Sequence, residues 1–225
     1  SDRGDSSSIG SLASGVMNLT YQEKLEFEGK PDPVEFGLGE KAKRLEISFK
    51  GEASPLVIEV GGATPVGPNF YTWSSASPHT LYMVASFFSQ MLEKDLFHWR
   101  NKRLFPESDV EGISSLSWKA KESVSARKTE GSWRIESPVK TEANMVSLEG
   151  LVSTLVYAQG KSIFSNQRTS PEAKKAVAQK PELEIAFEEG EMKHSIKLYP
   201  RPGAAKGAAE LVADVSGMEA LLLVD

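Results

Sequence analysis

Three strings in this sequence have spacings that catalysis or phosphate binding would use. Ser137-Pro138-Val139-Lys140 has the S-x-x-K spacing in which one helical turn brings a lysine amine to a serine hydroxyl. Pro138 suits a first helical position. The serine, however, ends a predicted hairpin strand, and no S-D-N or K-T-G companion occurs, so an exposed loop lysine is the favoured reading. Gly37-Leu38-Gly39-Glu40-Lys41-Ala42 fits G-x-G-x-x-A, a dinucleotide fingerprint that needs a strand before it and a long helix after it. Here Pro31 and Pro33 lie upstream and a strand-like run starts at Arg44, which favours a simple turn. Gly160-Lys161-Ser162 resembles the end of a phosphate-binding loop, but Leu155 stands where that loop needs its first glycine.

The remaining chemistry-bearing residues are scattered. His79, His98 and His194 have no zinc-site spacing and read as surface or strand-edge residues. Gly112-Ile113-Ser114-Ser115-Leu116 lacks the last glycine of a nucleophile elbow, and Glu188-Glu189-Gly190-Glu191 reads as a solvated hairpin tip. No catalytic residue, metal ligand or cofactor is predicted. Two groups stand out as candidate partner-binding residues: the basic cluster Arg100, Lys102 and Arg103 beside a helix end, and the aromatic pair Tyr71 and Trp73, which with Tyr82 forms a row able to stack on a sugar. The absence of cysteine excludes disulfides, cysteine-ligated zinc, iron–sulfur clusters and thiol catalysis. A net charge of −5 over 225 residues argues against nucleic-acid binding by bulk electrostatics.

The elements that position these residues recur along the chain. Ile9, Leu12, Val16 and Leu19 share helical spacing with Met145, Leu148, Val152 and Leu155, and each set is followed by a tyrosine, Tyr21 and Tyr157. Lys24 to Phe27 corresponds to Lys161 to Phe164, and Pro33 to Pro171. Leu45-Glu46-Ile47-Ser48-Phe49 corresponds to Leu183-Glu184-Ile185-Ala186-Phe187, Ile58 to Ile196, and Leu81 to Val84 to Leu221 to Val224. The displacement grows slowly from one match to the next, as small loop insertions would make it.

The predicted helices are 7–19, 87–100 with Ser86 as N-cap, 144–157, and a short one begun by Ser170-Pro171. Predicted strands are 44–49 with 56–60, 70–73 with 80–84, 113–118, 122–127 with 132–136 around Lys128-Thr129-Glu130-Gly131, 183–187 with 195–199, and 211–215 with 221–224. The expected fold is α+β: two tandem similar repeats, each a mainly antiparallel sheet with helices on one face. Repeat one is placed at residues 1–109 and lacks a leading hairpin; repeat two is placed at 110–225 and lacks a closing helix. Phe27, Ile47, Phe49 and Ile58 are the expected core, with Ile185, Phe187, Ile196 and Leu198 as counterparts. Residues 1–8 read as a polar lead-in without a signal peptide, and no apolar run is long enough to span a bilayer. An apolar strand stopping at Asp225 is expected to belong to something longer.

Trp133-Arg134-Ile135, Ser137-Pro138 and Ala143-Asn144 opening a helix, Phe36-Gly37-Leu38, and Trp99-Arg100-Asn101-Lys102-Arg103-Leu104 after a helix together resemble the domain of unknown function 4340 family. The second copy departs from that pattern: it has no aromatic-Gly-Leu between Pro171 and Pro181 and no R-N-K stretch. The resemblance implies a bacterial protein anchored to the inner membrane by a segment outside this chain, with its repeats on the extracytoplasmic, periplasmic side. It further implies association with ABC-transporter and gliding-motility-type systems, and it carries no enzymatic residues. The expected function is therefore a non-enzymatic interaction module that binds membrane-protein partners of an ABC-type system, without nucleic acid. A carbohydrate- or cell-wall-binding module using Tyr71, Trp73 and Tyr82 is the alternative, and a serine hydrolase using Ser137 and Lys140 the third.

Overall fold

The structure is a computed structural model that describes residues 4–205 and 209–225; the first three residues of the expected polar lead-in lie outside them. The chain divides into two compact units, residues 6–99 and residues 100–225 with the 4–5 segment.

In the first unit, period-two alternation builds a five-stranded antiparallel sheet. Its strands are β1 (Tyr21–Glu26), β2 (Lys43–Ile47), β3 (Leu56–Ala63), β4 (Asn69–Ser74) and β5 (Thr80–Ala85), in the order β1-β5-β4-β3-β2. Leu45 lies opposite Ile58, and Trp73 opposite Leu81. Because successive side chains leave a strand on opposite faces, the sheet has two apolar faces to cover. Helices α1 (Ser6–Met17) and α2 (Ser86–Leu92) flank the sheet, and one face gathers Ile58, Val60, Val84 and Phe88 with Val16, Leu19, Leu45 and Met91. The other face packs Trp73 and Leu81 against Phe36 and Leu38, with Phe27 and Tyr71 beside them. The expected helical layer is thus joined by a second layer made of the connector between β1 and β2.

The predicted helix 87–100 is broken into α2 and α3 (Leu96–Trp99). Asp95 is the cause: its Oδ1 accepts the His98 N–H at 2.8 Å, the bond an N-cap makes, so a new helix starts there. Ser86 is the first residue of α2; Ala85 holds the cap position and makes no side-chain bond.

The second unit has a nine-stranded antiparallel sheet. Its strands are β6 (Ile113–Lys119), β7 (Ser123–Thr129), β8 (Ser132–Ser137), β9 (Thr141–Glu142), β10 (Ser162–Ser165), β11 (Leu183–Glu189), β12 (Met192–Pro200), β13 (Leu211–Val215) and β14 (Leu221–Val224). The order is β10-β14-β13-β12-β11-β6-β7-β8-β9. Glu130 and Gly131 both have positive φ, the geometry of a two-residue hairpin turn that matches strand twist, and they close β7 onto β8. Helix α4 (Met145–Val156) begins at Asn144, whose side chain accepts the Ser147 N–H at 3.0 Å. Ser170 caps α5 (Pro171–Val177), with Pro171 in its first turn. Ala173 and Ala176 of α5 pack on Tyr199, Val212, Leu221 and Leu223. The apolar strand β14 is an inner strand, paired on both sides and buried at all four positions.

The first five strands of the nine, β10-β14-β13-β12-β11, have the order and chain connections of β1-β5-β4-β3-β2, and a twelve-residue helix precedes each set. Leu45 and Leu183 both sit on the last strand of their set. Their registers differ by two residues: Leu45 faces Ile58, whereas Leu183 faces Leu198 and Ile196 faces Ile185. Ile58 therefore takes the pairing position of Leu198, and a two-residue slip keeps every side chain on its face. The two sets part at Phe49 and Phe187. Phe187 is 2% exposed inside β11, while Phe49 lies beyond the end of β2 and is 44% exposed, contrary to its expected core place. β11 is bonded on both sides, by β12 and β6; β2 pairs with β3 alone among the described residues.

Candidate functional site

The sequence Trp99 to Leu104 leads into the second unit and is zipped to the end of α4. Gly160 N–H donates to the Lys102 carbonyl at 2.8 Å and Leu104 N–H to Ala158 at 2.9 Å, with Arg103 and Gln159 bridging antiparallel between them. The Arg103 guanidinium donates to the carbonyls of Val156 and Ser108 at 3.2 and 3.3 Å and lies 5.1 Å from the Tyr157 ring centre. It thereby closes the C-terminal end of α4, where a cation is favoured by the free carbonyls and the helix dipole. Of the basic cluster, Arg103 is thus a latch, Lys102 contributes its carbonyl to the zipper, and Arg100 lines a cleft.

That cleft, about 440 Å³, belongs to the second unit. Leu104, Phe105 and Met218 give it apolar walls, and Arg100, Glu107 and His194 polar ones. His194 stacks on Phe187 with ring centres 4.7 Å apart, and its Nε2 faces Glu189 Oε2 at 3.6 Å. The other oxygen of Glu189 accepts the Asp109 N–H at 3.0 Å, which ties the loop to the hairpin. Such a lining suits an amphipathic group, apolar in body and hydrogen-bonding at its end. Sequence reasoning left His194 and Glu189 as edge and turn residues. The signal was the two-residue Gly190-Glu191 turn: once it closes the hairpin, His194 must face Phe187.

The other candidates lie in the first unit. Trp73 is 8% exposed, its Nε1–H donates to the Pro78 carbonyl at 3.1 Å, and Lys30 Nζ stands 4.7 Å from its ring centre. Tyr71 meets Phe36 edge-on at 5.0 Å. Tyr82 points to the opposite face, into the cluster around Val84 and Phe88, and contacts Tyr21 at 5.1 Å. Tyr71 and Trp73 are therefore packing residues of one sheet face and form no open row with Tyr82. Ser137 ends β8, and Lys140 lies in the loop before β9, so no helical turn holds them as a pair. Gly39–Lys41 is a single 3-10 turn leading into β2. Among the described residues, no group of three or more His, Asp or Glu is placed to hold a metal ion, and no helix is long and apolar enough to cross a membrane.

The residues that carried the sequence resemblance hold the fold together. The Phe36 carbonyl accepts the Gly62 N–H at 2.8 Å, and the Trp133 carbonyl accepts the Ala143 N–H at 3.1 Å just ahead of the Asn144 cap. A family model for a domain of unknown function, DUF4340, matches residues 3–181. The chain belongs to the DUF4340 family. The DUF4340 match covers the first unit and β6 to α5, and ends two residues before β11. No curated protein and no solved structure matches the chain.

Proposed function

We propose that this chain is a non-enzymatic, extracytoplasmic interaction module, an auxiliary component of an ABC-type membrane system, and that it meets its partners through open sheet edges. The observation that carries this reading is the five-stranded sheet of the first unit. Among the described residues it ends in two edge strands, and β1 is exposed at all six positions. Edge strands offer rows of unpaired N–H and C=O groups, a ready template for a strand of another chain. The family resemblance supplies the setting: an inner-membrane anchor outside this chain, with the module on the periplasmic side.

The test is affinity purification of the membrane-bound protein from a bacterium that carries it, solubilised in mild detergent and quantified by mass spectrometry. Enrichment of the permease or ATPase subunit of an ABC-type system is expected. Recovery of the bait with no such subunit enriched would overturn the proposal.

A further inference from the structure

The sheet of the first unit has a hollow of about 260 Å³ on the face that carries Val84, beside the Leu19-Thr20 link that follows α1. Two aromatic rings line it, Tyr21 and Tyr82, with centres 5.1 Å apart and planes inclined at 51°. Thr72, Ser74 and Ser77 add three aliphatic hydroxyls, and every residue of the lining is uncharged. These hydroxyls are lightly used by the protein. The Thr72 hydroxyl makes a long bond of 3.4 Å to the Phe70 carbonyl, and Ser74 Oγ accepts the Ala76 N–H at 3.3 Å, which leaves its O–H to donate.

The second unit shows what the same place is when it serves packing alone. Thr72 lies opposite Tyr82, and Ser74 follows two residues on, on the same face. In β13 and β14 the corresponding pair is Ala213 opposite Leu222, with Val215 two residues on, and all three are buried. The chain at Gly160 lies so close over Leu222 that an added Cβ would stand 2.7 Å from its Cδ1. Alanine, leucine and valine thus make a closed apolar face in one unit. At the matching positions of the other, threonine, tyrosine and serine line an open hollow. A core gains nothing from three hydroxyl-bearing residues in that place, since a hydroxyl withdrawn from water needs a partner. A ligand with hydroxyls of its own supplies one.

We propose that this hollow binds one neutral pyranose ring of a sugar. A pyranose has an apolar C–H face that can lie on a tyrosine ring and a rim of hydroxyls that donate and accept, which is the division the lining offers. The uncharged lining has nothing to pair with an ionised ligand, and an ion withdrawn from water without a partner is costly. The volume falls below the about 300–1,000 Å³ of pockets for drug-sized ligands, so the site holds a single ring of a longer glycan or a free monosaccharide. Tyr21, half-exposed on the edge strand β1, is the platform, and Ser74 and Thr72 read the hydroxyls. The site goes beyond the partner reading above and does not rest on it.

The test titrates the whole chain with the methyl glycosides of glucose, galactose, mannose and N-acetylglucosamine, followed by residue-resolved NMR. Saturating shifts at Tyr21, Thr72, Ser74 and Tyr82 with at least one of them, and unchanged signals around the second-unit cleft at His194 and Met218, are the expected result. Tyr21→Ala, at an already exposed site, should weaken binding by about tenfold. Tyr21→Phe keeps the ring and should bind between the two. Ser74→Val introduces the residue type of the second unit and should weaken binding by about fivefold or more, with the hydrogen-exchange pattern of the free chain intact. No perturbation by any of the four sugars, shifts centred elsewhere, or wild-type affinity in both Tyr21→Ala and Ser74→Val would each overturn the proposal. The purification above reads partner capture and the titration reads the hollow, so either reading can fail while the other stands.

Discussion

Replacing Gly61 by alanine measures how firmly the connector between β1 and β2 is held on its sheet. A Cβ at position 61 would stand 2.2 Å from the Phe36 carbonyl oxygen and 3.1 Å from the Gly37 carbonyl carbon. Both are backbone atoms, so no rotamer change relieves the clash, and the same carbonyl already holds the Gly62 N–H. The mildest response is a backbone shift of the kind overpacking forces, costing about 1–3 kcal/mol. If the segment lifts away, Phe36 and Leu38, each 8% exposed, lose their burial, at about 1.5–3 kcal/mol per side chain. An intermediate outcome near 3 kcal/mol corresponds to exchange roughly 100-fold faster for the slowest amides of β3, β4 and β5. Native-state hydrogen exchange is the suitable assay because two compact units need not unfold together. The second unit should keep its rates. Gly150→Ala in α4 is the opposite control: nothing lies within 4 Å of the added carbon, and the second unit should gain about 1 kcal/mol. First-unit rates within threefold of wild type in Gly61→Ala would refute the close approach.

Asn144→Ala removes the cap of α4 and should destabilise the second unit by about 1 kcal/mol in urea titrations, whereas Asn144→Asp should keep most of it. Arg103→Met keeps the side-chain stem but loses both carbonyl bonds; a cost of about 1.5–3 kcal/mol is expected, with faster exchange at Leu104 and Gly160. The Glu188 carboxyl lies below the usual carboxylate range, held there first by the Ser115 hydroxyl and then by Lys193. A depressed folded-state value means that this group stabilises the fold above the ordinary carboxylate range, and that the contribution disappears as pH falls through the folded value. A carbon-13 titration should show the Glu188 midpoint moving up in Ser115→Ala; an unmoved midpoint would contradict the assigned cause.

Where local chemistry decides structure, the sequence was readable. Ser170-Pro171 starts α5 because a cap and a pre-set φ need no distant partner, and Lys128 to Gly131 closes β7 on β8 because Gly131 accepts the turn geometry. The alternation in Leu45 to Ile47 and in Leu183 to Phe187 made both strands visible. β1 and β10 were seen only as matching segments and not as strands, since Tyr21 to Glu26 is polar and stays exposed and β10 has four residues. Their pairing is imposed by β5 and β14, which are far away in the chain. The break at Asp95 was missed because the apolar stripe runs on through Trp99, and one side-chain cap outweighed it. Among the candidate site residues, types were legible and surroundings were not. Trp73 and Tyr71 look like a binding row until Phe36 and Leu38 cover them, and Arg103 looks like a free cation until Val156 and Ser108 take its N–H groups.

Photo-cross-linking in the membrane-bound protein asks whether a sheet edge meets the partner. A benzophenone side chain replaces Tyr21 on the edge strand β1 in one sample and Val34, exposed in the connector between β1 and β2, in another. Cross-links from position 21 into a subunit of an ABC-type system are the predicted result. A subunit that co-purifies fully yet cross-links only from position 34 would contradict it.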